Sequence, residues 1–484
     1  MRDHSITFKY IKNRVREYSK DEMLGFCLNL LEQKKKEVFP VWFVFTLMKW
    51  TIIYGGQNYP SKKLTPEKFS RLFNKVQDFN TQHVSSFLKS KQIHKAFQIL
   101  YNQQFYLQKT VYTEILATQL KLFVSITGKY DIDKSFKQKT GLSVRDFLFI
   151  EQIIFIYINI EKLGDKQLYF DGKLEDHFLQ LVAEITDRNK VKHFLNLLTL
   201  CPSNAEKSIS GFKHKIRNED LQTMEMSFFT MFPFMWYRGE THLVDKSVFY
   251  HTANYYIYDF LKANDEKFTT EFGDRLEKYV ELGLREMQAL YKTESDIKKI
   301  LQPQSKLVDF YVEEENILIE CKATELQAYS FVNPTDELLY NSLKSSILKA
   351  YFEQILTVAS QLNNSKEKWG IILTYKELFW SHFIELHRIT KENYNDKGEN
   401  SSVPPENVFI VDLNSWDRIV EIVKSGKATM SEILKSAKND NSNSNTSKML
   451  FRMHLDQYNI EKLDLTFLRK EIEEFDIKNT SQNN

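Results

Sequence analysis

Cysteine is scarce in this chain, with Cys27, Cys201 and Cys321 the three examples among 484 residues. Their wide spacing gives no CxxC pair and no alternating Cys/His pattern, which argues against a structural zinc site. A small, odd number of cysteines is typical of a protein kept in a reducing compartment rather than one held by disulfides. We therefore expect a cytoplasmic protein.

Glycine, proline, charge of one sign and long apolar runs are also in short supply. With 14 Gly and 9 Pro, the chain favours long helices over many tight turns. The formal net charge is +2, so a surface for a polyanion would have to be a local patch. Lys49 and Glu151 interrupt the two longest apolar stretches, which therefore fall short of the roughly 18 apolar residues of a spanning helix. We expect neither a signal peptide nor a membrane partner.

Aromatic residues, by contrast, are plentiful. They form 14% of the chain, with 37 Phe and 24 Tyr, so a large apolar core can be buried and we do not expect global disorder. Residues 1–238 show apolar positions at helical spacing, for example after the helix start at Thr65 and Pro66. No strong alternating pattern of a strand interrupts them. We interpret 1–238 as a helical module.

From about residue 267 the pattern changes to helices alternating with short apolar runs. The predicted helices and strands are a helix at 271–290, strands at 307–312 and 317–322, a helix at 342–362, and strands at 369–375 and 408–413. This order predicts an α/β domain with a mixed sheet flanked by helices, which we place at 239–430. The asparagine- and serine-rich stretch 439–447 predicts a polar linker, and 431–484 as a whole a linker with a helical tail.

The two runs at 307–312 and 317–322 flank a polar four-residue stretch and predict a hairpin. A four-residue turn would set three facing pairs: Val312 with Ile317, Phe310 with Ile319, and Asp309 with Glu320. Facing residues share one side of the sheet, about 5 Å apart at Cβ. Lys322 is two residues beyond Glu320 and so lies on that side as well. The hairpin therefore gathers two carboxylates and an ammonium group.

Two carboxylates facing each other on paired strands repel, so something should compensate them. Mg²⁺ prefers oxygen ligands, and one or two carboxylates with water and phosphate oxygens satisfy it. We therefore expect Mg²⁺ as cofactor at Asp309 and Glu320, with Mn²⁺ as a substitute. Lys322 cannot bind a cation, but it can stabilise negative charge that develops on a phosphate.

These residues carry a family resemblance. Asp309 followed after a gap by Glu320-Cys321-Lys322 resembles the D-x(n)-E-x-K signature of PD-(D/E)xK phosphodiesterases. Upstream, 272–280 resembles the first core helix of that superfamily, in which Glu277 matches a glutamate that often completes the metal site. Downstream, 349–355 resembles the helix beside the active site, with Gln354 and Lys349 as supporting residues. The resemblance covers roughly 265–415.

The resemblance implies a restriction-endonuclease-like fold and a metal-dependent endonuclease that hydrolyses phosphodiester bonds in nucleic acid. Asp309, Glu320 and Glu277 would be metal ligands, and Lys322 the catalytic cation. The helical module would direct or restrain the nuclease, with a protein trigger as its partner. Host defence against phage is a setting suggested by this architecture alone. DNA and RNA stay open as substrates, and a ribonuclease acting on tRNA is an alternative.

Two other signals in the helical module leave alternatives open. The Met- and Phe-rich stretch 224–237 predicts a core segment, or else a surface that binds a partner in a non-catalytic protein. Arg188 and His193 resemble the R-x4-H motif of HEPN ribonucleases, although a solvated basic helix face explains the same residues.

Overall fold

The computed structural model describes much of the chain in several ranges. The described residues are 6–32, 41–55, 62–89, 99–100, 112–159, 162–163, 166–167, 173–174, 176–209, 221–225, 227–301, 306–332, 334–362, 365–395, 398, 401–443 and 445–481. Among these residues, no helix combines the length and apolar character needed to cross a bilayer.

The chain divides into two compact units. The first contains Met1–Tyr112, Asp133–Leu261 and Phe331–Pro334, and the second contains Thr113–Ile132, Lys262–Ser330 and Thr335–Asn484. The helices that lie wholly or mainly in the first unit are Phe8–Arg16, Lys20–Glu32, Val41–Tyr54, Pro66–Lys89, Ile132–Thr140, Val144–Asn159, Asp176–Ile185, Arg188–Leu198, Ala205–Ser208 and Lys246–Asn264. The sequence predicts a domain boundary near residue 238. In the structure the change from the first unit to the second instead lies at Lys262, and the second unit also contains Thr113–Ile132.

The first unit is not purely helical, which corrects the interpretation of 1–238. It holds a four-stranded mixed sheet whose strands, in spatial order, are Lys173–Leu174, Glu240–Leu243, Phe234–Tyr237 and Thr199–Leu200. The two central strands form a hairpin across Arg238 and Gly239, whose φ angles of 51° and 88° suit a tight turn. Strands of two to four residues are too short to show an alternating pattern, so they could not be recognised from the sequence. A further two-stranded pair joins Lys162–Leu163 to Lys166–Gln167.

The core of the first unit explains the Met- and Phe-rich stretch. Met224, Phe228, Phe229 and Met235 are at most 1% exposed, and the last three belong to the apolar core that forms around Val41–Tyr54. The prediction of a core segment is therefore confirmed for these residues.

The second unit is built on a five-stranded mixed sheet. Its strands are β1 (Tyr291–Thr293), β2 (Phe310–Val312), β3 (Ile317–Lys322), β4 (Trp369–Thr374) and β5 (Val408–Asp412), in spatial order β5-β4-β3-β2-β1. β3, β4 and β5 are parallel, whereas β1 and β2 run antiparallel to their neighbours. A strand is present at each of the four predicted places, although β2 begins at Phe310 rather than at residue 307. β1 is an addition too short to have been recognised.

Helices surround this sheet. They include α1 (Phe268–Glu286), α2 (Glu294–Ile300), Tyr112–Leu120, Ala328–Val332, Asp336–Leu343, Ile347–Lys349, Leu356–Gln361, Ile384–Thr390, Leu413–Lys424, Met430–Asn441, Arg452–Leu455 and Thr466–Ser481. The helix expected at 342–362 is interrupted by a turn at 344–346 and by a π-helical turn, Ala350–Ile355. α1 and this π-helical turn both pack against β3, and so they position the residues around it.

The described residues of the stretch expected to be a polar linker, 439–443 and 445–447, contain the end of a helix and hydrogen-bonded turns, which corrects that prediction for them. The helix Met430–Asn441 begins with a capping box between Thr429 and Glu432 and runs into the asparagine-rich segment. Asp440 then accepts a hydrogen bond from His454 at 2.8 Å and an ion pair from Lys448 at 3.0 Å. Polar composition predicted a linker, but these charged contacts connect the end of the helix to Lys448 and His454.

Candidate active site

The hairpin of β2 and β3 has the predicted register. Val312 pairs with Ile317 and Phe310 with Ile319. The turn closes through Asn316, whose φ of 54° is left-handed and whose Oδ1 accepts a hydrogen bond from the Tyr311 hydroxyl at 2.9 Å. Asparagine tolerates that conformation better than most residues, which helps to fix the loop length and hence the register.

Asp309 and Glu320 interlock at the open end of the hairpin. The backbone N–H of Cys321 donates to Asp309 Oδ2 at 2.6 Å, and the backbone N–H of Asp309 donates to Glu320 Oε2 at 3.2 Å. Lys322 Nζ forms an ion pair with Glu320 Oε1. The structure therefore brings together the three residues of the sequence signature.

Gln354 joins the same cluster from the π-helical turn. Its Nε2 donates to Glu320 Oε1 at 2.6 Å and to the backbone carbonyl of Leu307 at 2.9 Å. The side-chain Oε1 of Gln354 is buried and has no hydrogen-bond partner in the structure. π-Helical turns inside helices occur frequently at functional sites, where they redirect one side chain. Lys349, by contrast, makes no hydrogen bond or ion pair with a described residue, so no contact brings it to the site.

Glu277 approaches this cluster from α1. Burial and the nearby charge of Asp309 raise the pKa of Glu277 to about 7, while Lys322 opposes the shift. Its carboxylate accepts no hydrogen bond from a described residue. The fourth predicted site residue therefore also lies within electrostatic reach of the hairpin.

The carboxyl groups of the site are not matched by an equal number of positively charged side chains among the described residues. Burial raises the pKa of Asp309 although the N–H of Cys321 and the charge of Lys322 oppose it. Burial and then the Asp309 carboxylate raise the pKa of Glu320 despite Lys322 and Gln354. Lys322 is the cation that acts on all three carboxyl groups, Glu277 included. A second positive charge would stabilise their ionised forms.

The donor set can be tested against Mg²⁺. In the described part of the chain, no three His, Cys, Asp or Glu side chains stand in an arrangement ready to hold an ion. Internal donors occupy both carboxylate oxygens of Glu320 and one of Asp309. The Glu277 carboxylate and the buried Gln354 Oε1 remain without such donors. Carboxylate and amide oxygens are the type of ligand that a hard divalent cation prefers, so the chemistry of this donor set suits Mg²⁺.

The structure adds a basic group that the sequence did not reveal. Glu325 pairs with Lys262 at 2.9 Å and with Lys376 at 3.5 Å. Although burial opposes it, Lys376 and Lys262 lower the pKa of Glu325. Thr374 pairs with Lys322 across β4 and β3, so Lys376 and Glu325 both follow the carboxyl ends of these adjacent strands. Only the spatial pairing of β3 with β4 could have shown that these distant lysines belong near the signature.

Arg188 and His193 do not form a comparable group. Both side chains are exposed on the helix Arg188–Leu198, and neither makes a hydrogen bond or ion pair with a described residue. Five helical residues rotate the chain by 500°, so the two side chains point about 140° apart.

Comparisons with known proteins add no family to this geometry. No protein-family model matches the chain, and neither a curated protein nor a solved structure is significantly similar to it.

Proposed function

We propose that the second unit is a metal-dependent nuclease that hydrolyses phosphodiester bonds in nucleic acid, on a restriction-endonuclease-like fold. The observation that carries the proposal is the interlocked pair of Asp309 and Glu320. Lys322 forms an ion pair with the Glu320 carboxylate, and Glu277 lies within electrostatic reach. Buried like charges are costly unless a ligand compensates them, so their presence at one sheet edge favours a cation-dependent site over a structural ion cluster.

In this proposal Asp309, Glu320 and Glu277 hold Mg²⁺, or Mn²⁺ in its place. Such an ion would supply Lewis-acid chemistry to a phosphate ester and to the water that attacks it. Lys322, which has donors only, stabilises negative charge on the phosphate in the transition state. Gln354 holds the Glu320 carboxylate in one orientation through its hydrogen bond.

Nucleic acid fits the surroundings of the site as substrate. Lys262 and Lys376 flank a single carboxylate, so this trio carries a net positive charge beside the carboxyl ends of β3 and β4. Ligands of α/β proteins bind preferentially at the carboxyl ends of parallel strands. Cationic side chains at that edge can hold neighbouring phosphates of a strand while one phosphate occupies the site.

The biological setting follows by analogy from the architecture. The first unit would restrain or direct the nuclease, through a protein trigger, in cytoplasmic defence against phage. Three free cysteines, with Cys27 and Cys321 buried, are compatible with a reducing compartment.

A substrate panel tests the proposal. The full-length protein is incubated with plasmid DNA, single-stranded DNA and total RNA, each with Mg²⁺, with Mn²⁺ or with EDTA, beside the Lys322→Ala variant. We expect metal-dependent cleavage of at least one substrate by the wild type, and a rate lower by about 10²–10³ in the variant. Cleavage of RNA alone would identify a ribonuclease. Cleavage that persists in EDTA, or that proceeds at the wild-type rate in Lys322→Ala, would overturn the proposed site. Intact substrates throughout would favour a non-catalytic partner-binding protein.

A further inference from the structure

Glu294, the first residue of α2, directly follows the edge strand β1. β1 pairs with β2 so that Thr293 lies opposite Phe310, and β2 pairs with β3 so that Phe310 lies opposite Ile319. β1 ends at Thr293 and β2 begins at Phe310, so Glu294 and Asp309 lie one residue beyond the paired ends of these strands. If the register is continued by that one residue, Glu294, Asp309 and Glu320 form the next transverse row. Residues in one transverse row of neighbouring strands share a face of the sheet.

The electrostatics of the site are consistent with this row. The negative charge of Glu294 raises the pKa of both Asp309 and Glu277, although burial is the larger cause in each case. Glu294 therefore lies close enough to act on a carboxylate of the hairpin and on one of α1.

The local fold does not use the Glu294 carboxylate. The capping box at the start of α2 is formed by Thr293 and Asp296. Glu294 is exposed and makes no hydrogen bond or ion pair with a described residue. A carboxylate that is free of protein donors remains able to bind a cation or one of the cation's water molecules.

A second observation beside the row points to a ligand. Gln354 is 9% exposed, its Nε2 contacts Glu320, and its buried Oε1 has no partner. A buried acceptor without a donor costs free energy, and a cation or one of its water molecules would relieve that cost.

We propose that Glu294 is a further carboxylate of the cation site, which binds a hard divalent cation together with Asp309, Glu320 and Glu277. This inference rests on the proposed function, because it adds a residue to the same site. Glu294 contributes either as a direct ligand or through a water molecule of the ion. Its exposure means that it helps to capture the ion from solvent, whereas the buried carboxylates hold it.

Mn²⁺ binding to the full-length protein tests this role without reference to cleavage. Free and bound Mn²⁺ are separated by electron paramagnetic resonance during titration of the wild type, Glu294→Gln, Glu294→Asp and Asp309→Asn. Residues that support a metal ligand typically contribute about 10- to 100-fold to metal affinity. We expect a loss of that size in Glu294→Gln and partial recovery in Glu294→Asp.

The matched control is Glu314→Gln, which removes the same charge from an exposed residue in the hairpin turn, at the other end of β2 and β3. We expect it to bind Mn²⁺ as the wild type does. Thermal unfolding in EDTA shows whether Glu294→Gln merely weakens α2, since a purely structural role would lower the melting temperature and leave the Mn²⁺ affinity of the folded protein unchanged. That result overturns the role of Glu294.

The same titration separates the two proposals. Equal Mn²⁺ affinity in Glu294→Gln and the wild type, with a large loss in Asp309→Asn, overturns the role of Glu294 but leaves the proposed function intact. Failure of the wild type to bind Mn²⁺, or equal binding by Asp309→Asn, overturns both.

Discussion

Gln354 and Glu320 are 34 residues apart in the chain, yet Nε2 of Gln354 lies 2.6 Å from Oε1 of Glu320. The same nitrogen also donates to the carbonyl of Leu307, two residues before Asp309. One amide therefore holds both strands at the open end of the hairpin. It contacts the carboxylate on β3 and the backbone that leads into β2. Its position depends on the π-helical turn Ala350–Ile355.

Removal of this amide should impair the site more than the fold. Gln354→Ala leaves the Glu320 carboxylate without one of its donors, and residues that orient a metal ligand typically contribute about 10- to 100-fold to activity. We expect a loss of cleavage in that range, and a larger loss in Gln354→Glu because it places a second negative charge against Glu320. Cleavage rates at saturating Mg²⁺ measure the effect. Ser360→Ala, an exposed change on the following helix, should cleave normally; equal rates in all variants would show that the amide has no role.

Substitution of the two carboxylates and substitution of the lysine should have different effects on metal binding and on cleavage. Asp309→Ala and Glu320→Ala remove oxygen ligands, so we expect weaker Mn²⁺ binding together with loss of cleavage. Lys322→Ala removes a positive charge, and loss of one preorganised electrostatic contact costs about 10²–10³ in rate. Its Mn²⁺ affinity should be unchanged or slightly higher, because a competing charge is gone. Calorimetric titration of Mn²⁺ beside a cleavage assay decides; unchanged metal affinity in both carboxylate variants would contradict the assignment.

Lys262 and Lys376 should contribute to binding rather than to chemistry. Each phosphate contact that is lost should reduce the slope of log affinity against log salt concentration by about 0.7–0.9. We expect Lys262→Gln and Lys376→Gln to weaken nucleic-acid binding at low salt and to reduce that slope, with little change in the single-turnover rate at saturating protein. Fluorescence anisotropy across a salt series measures both. Lys470→Gln, an exposed lysine on the C-terminal helix, is the control, and identical slopes in all variants would rule out the contact.

The free energy of unfolding should decrease as pH rises, because of Glu377. Burial and the charge of Asp412 raise the pKa of Glu377 from 4.5 to about 8. Between these pH values the unfolded chain has ionised this group while the folded protein keeps it protonated. Unfolding therefore releases a proton, and the free energy of unfolding decreases as pH rises through this window.

Glu377→Gln should remove this decrease. The variant keeps an oxygen that can accept the hydrogen bond from the backbone N–H of Phe379, which is 3.1 Å from Glu377 Oε1. We expect it to be more stable than the wild type at pH 9 and to show a smaller loss between pH 5 and pH 9 in urea unfolding. Glu461→Gln, which changes an exposed carboxylate, should follow the wild type. Parallel stability curves for the wild type and Glu377→Gln would show that Glu377 is ionised throughout.

The sequence by itself determined the hairpin and the three residues of its signature. Pairing across a four-residue turn is local, and the two-residue period of a strand then fixes which side chains share a face. The facing pairs of β2 and β3 and the meeting of Asp309 with Glu320 and Lys322 could therefore be predicted. The buried strands β4 and β5 were recognisable from their continuous apolar runs.

Only the tertiary structure decided which distant residues join that hairpin. Glu294 enters the row because β1 pairs with β2, and Lys376 comes near Lys322 because β4 lies beside β3. These strand pairings join segments that are distant in the chain, and three residues of β1 are too few to show a period. The sheet of the first unit escaped prediction because strands of two to four residues show no period. The segment after Met430 was taken for a linker because its polar composition does not show that Asp440 pairs with His454 and Lys448.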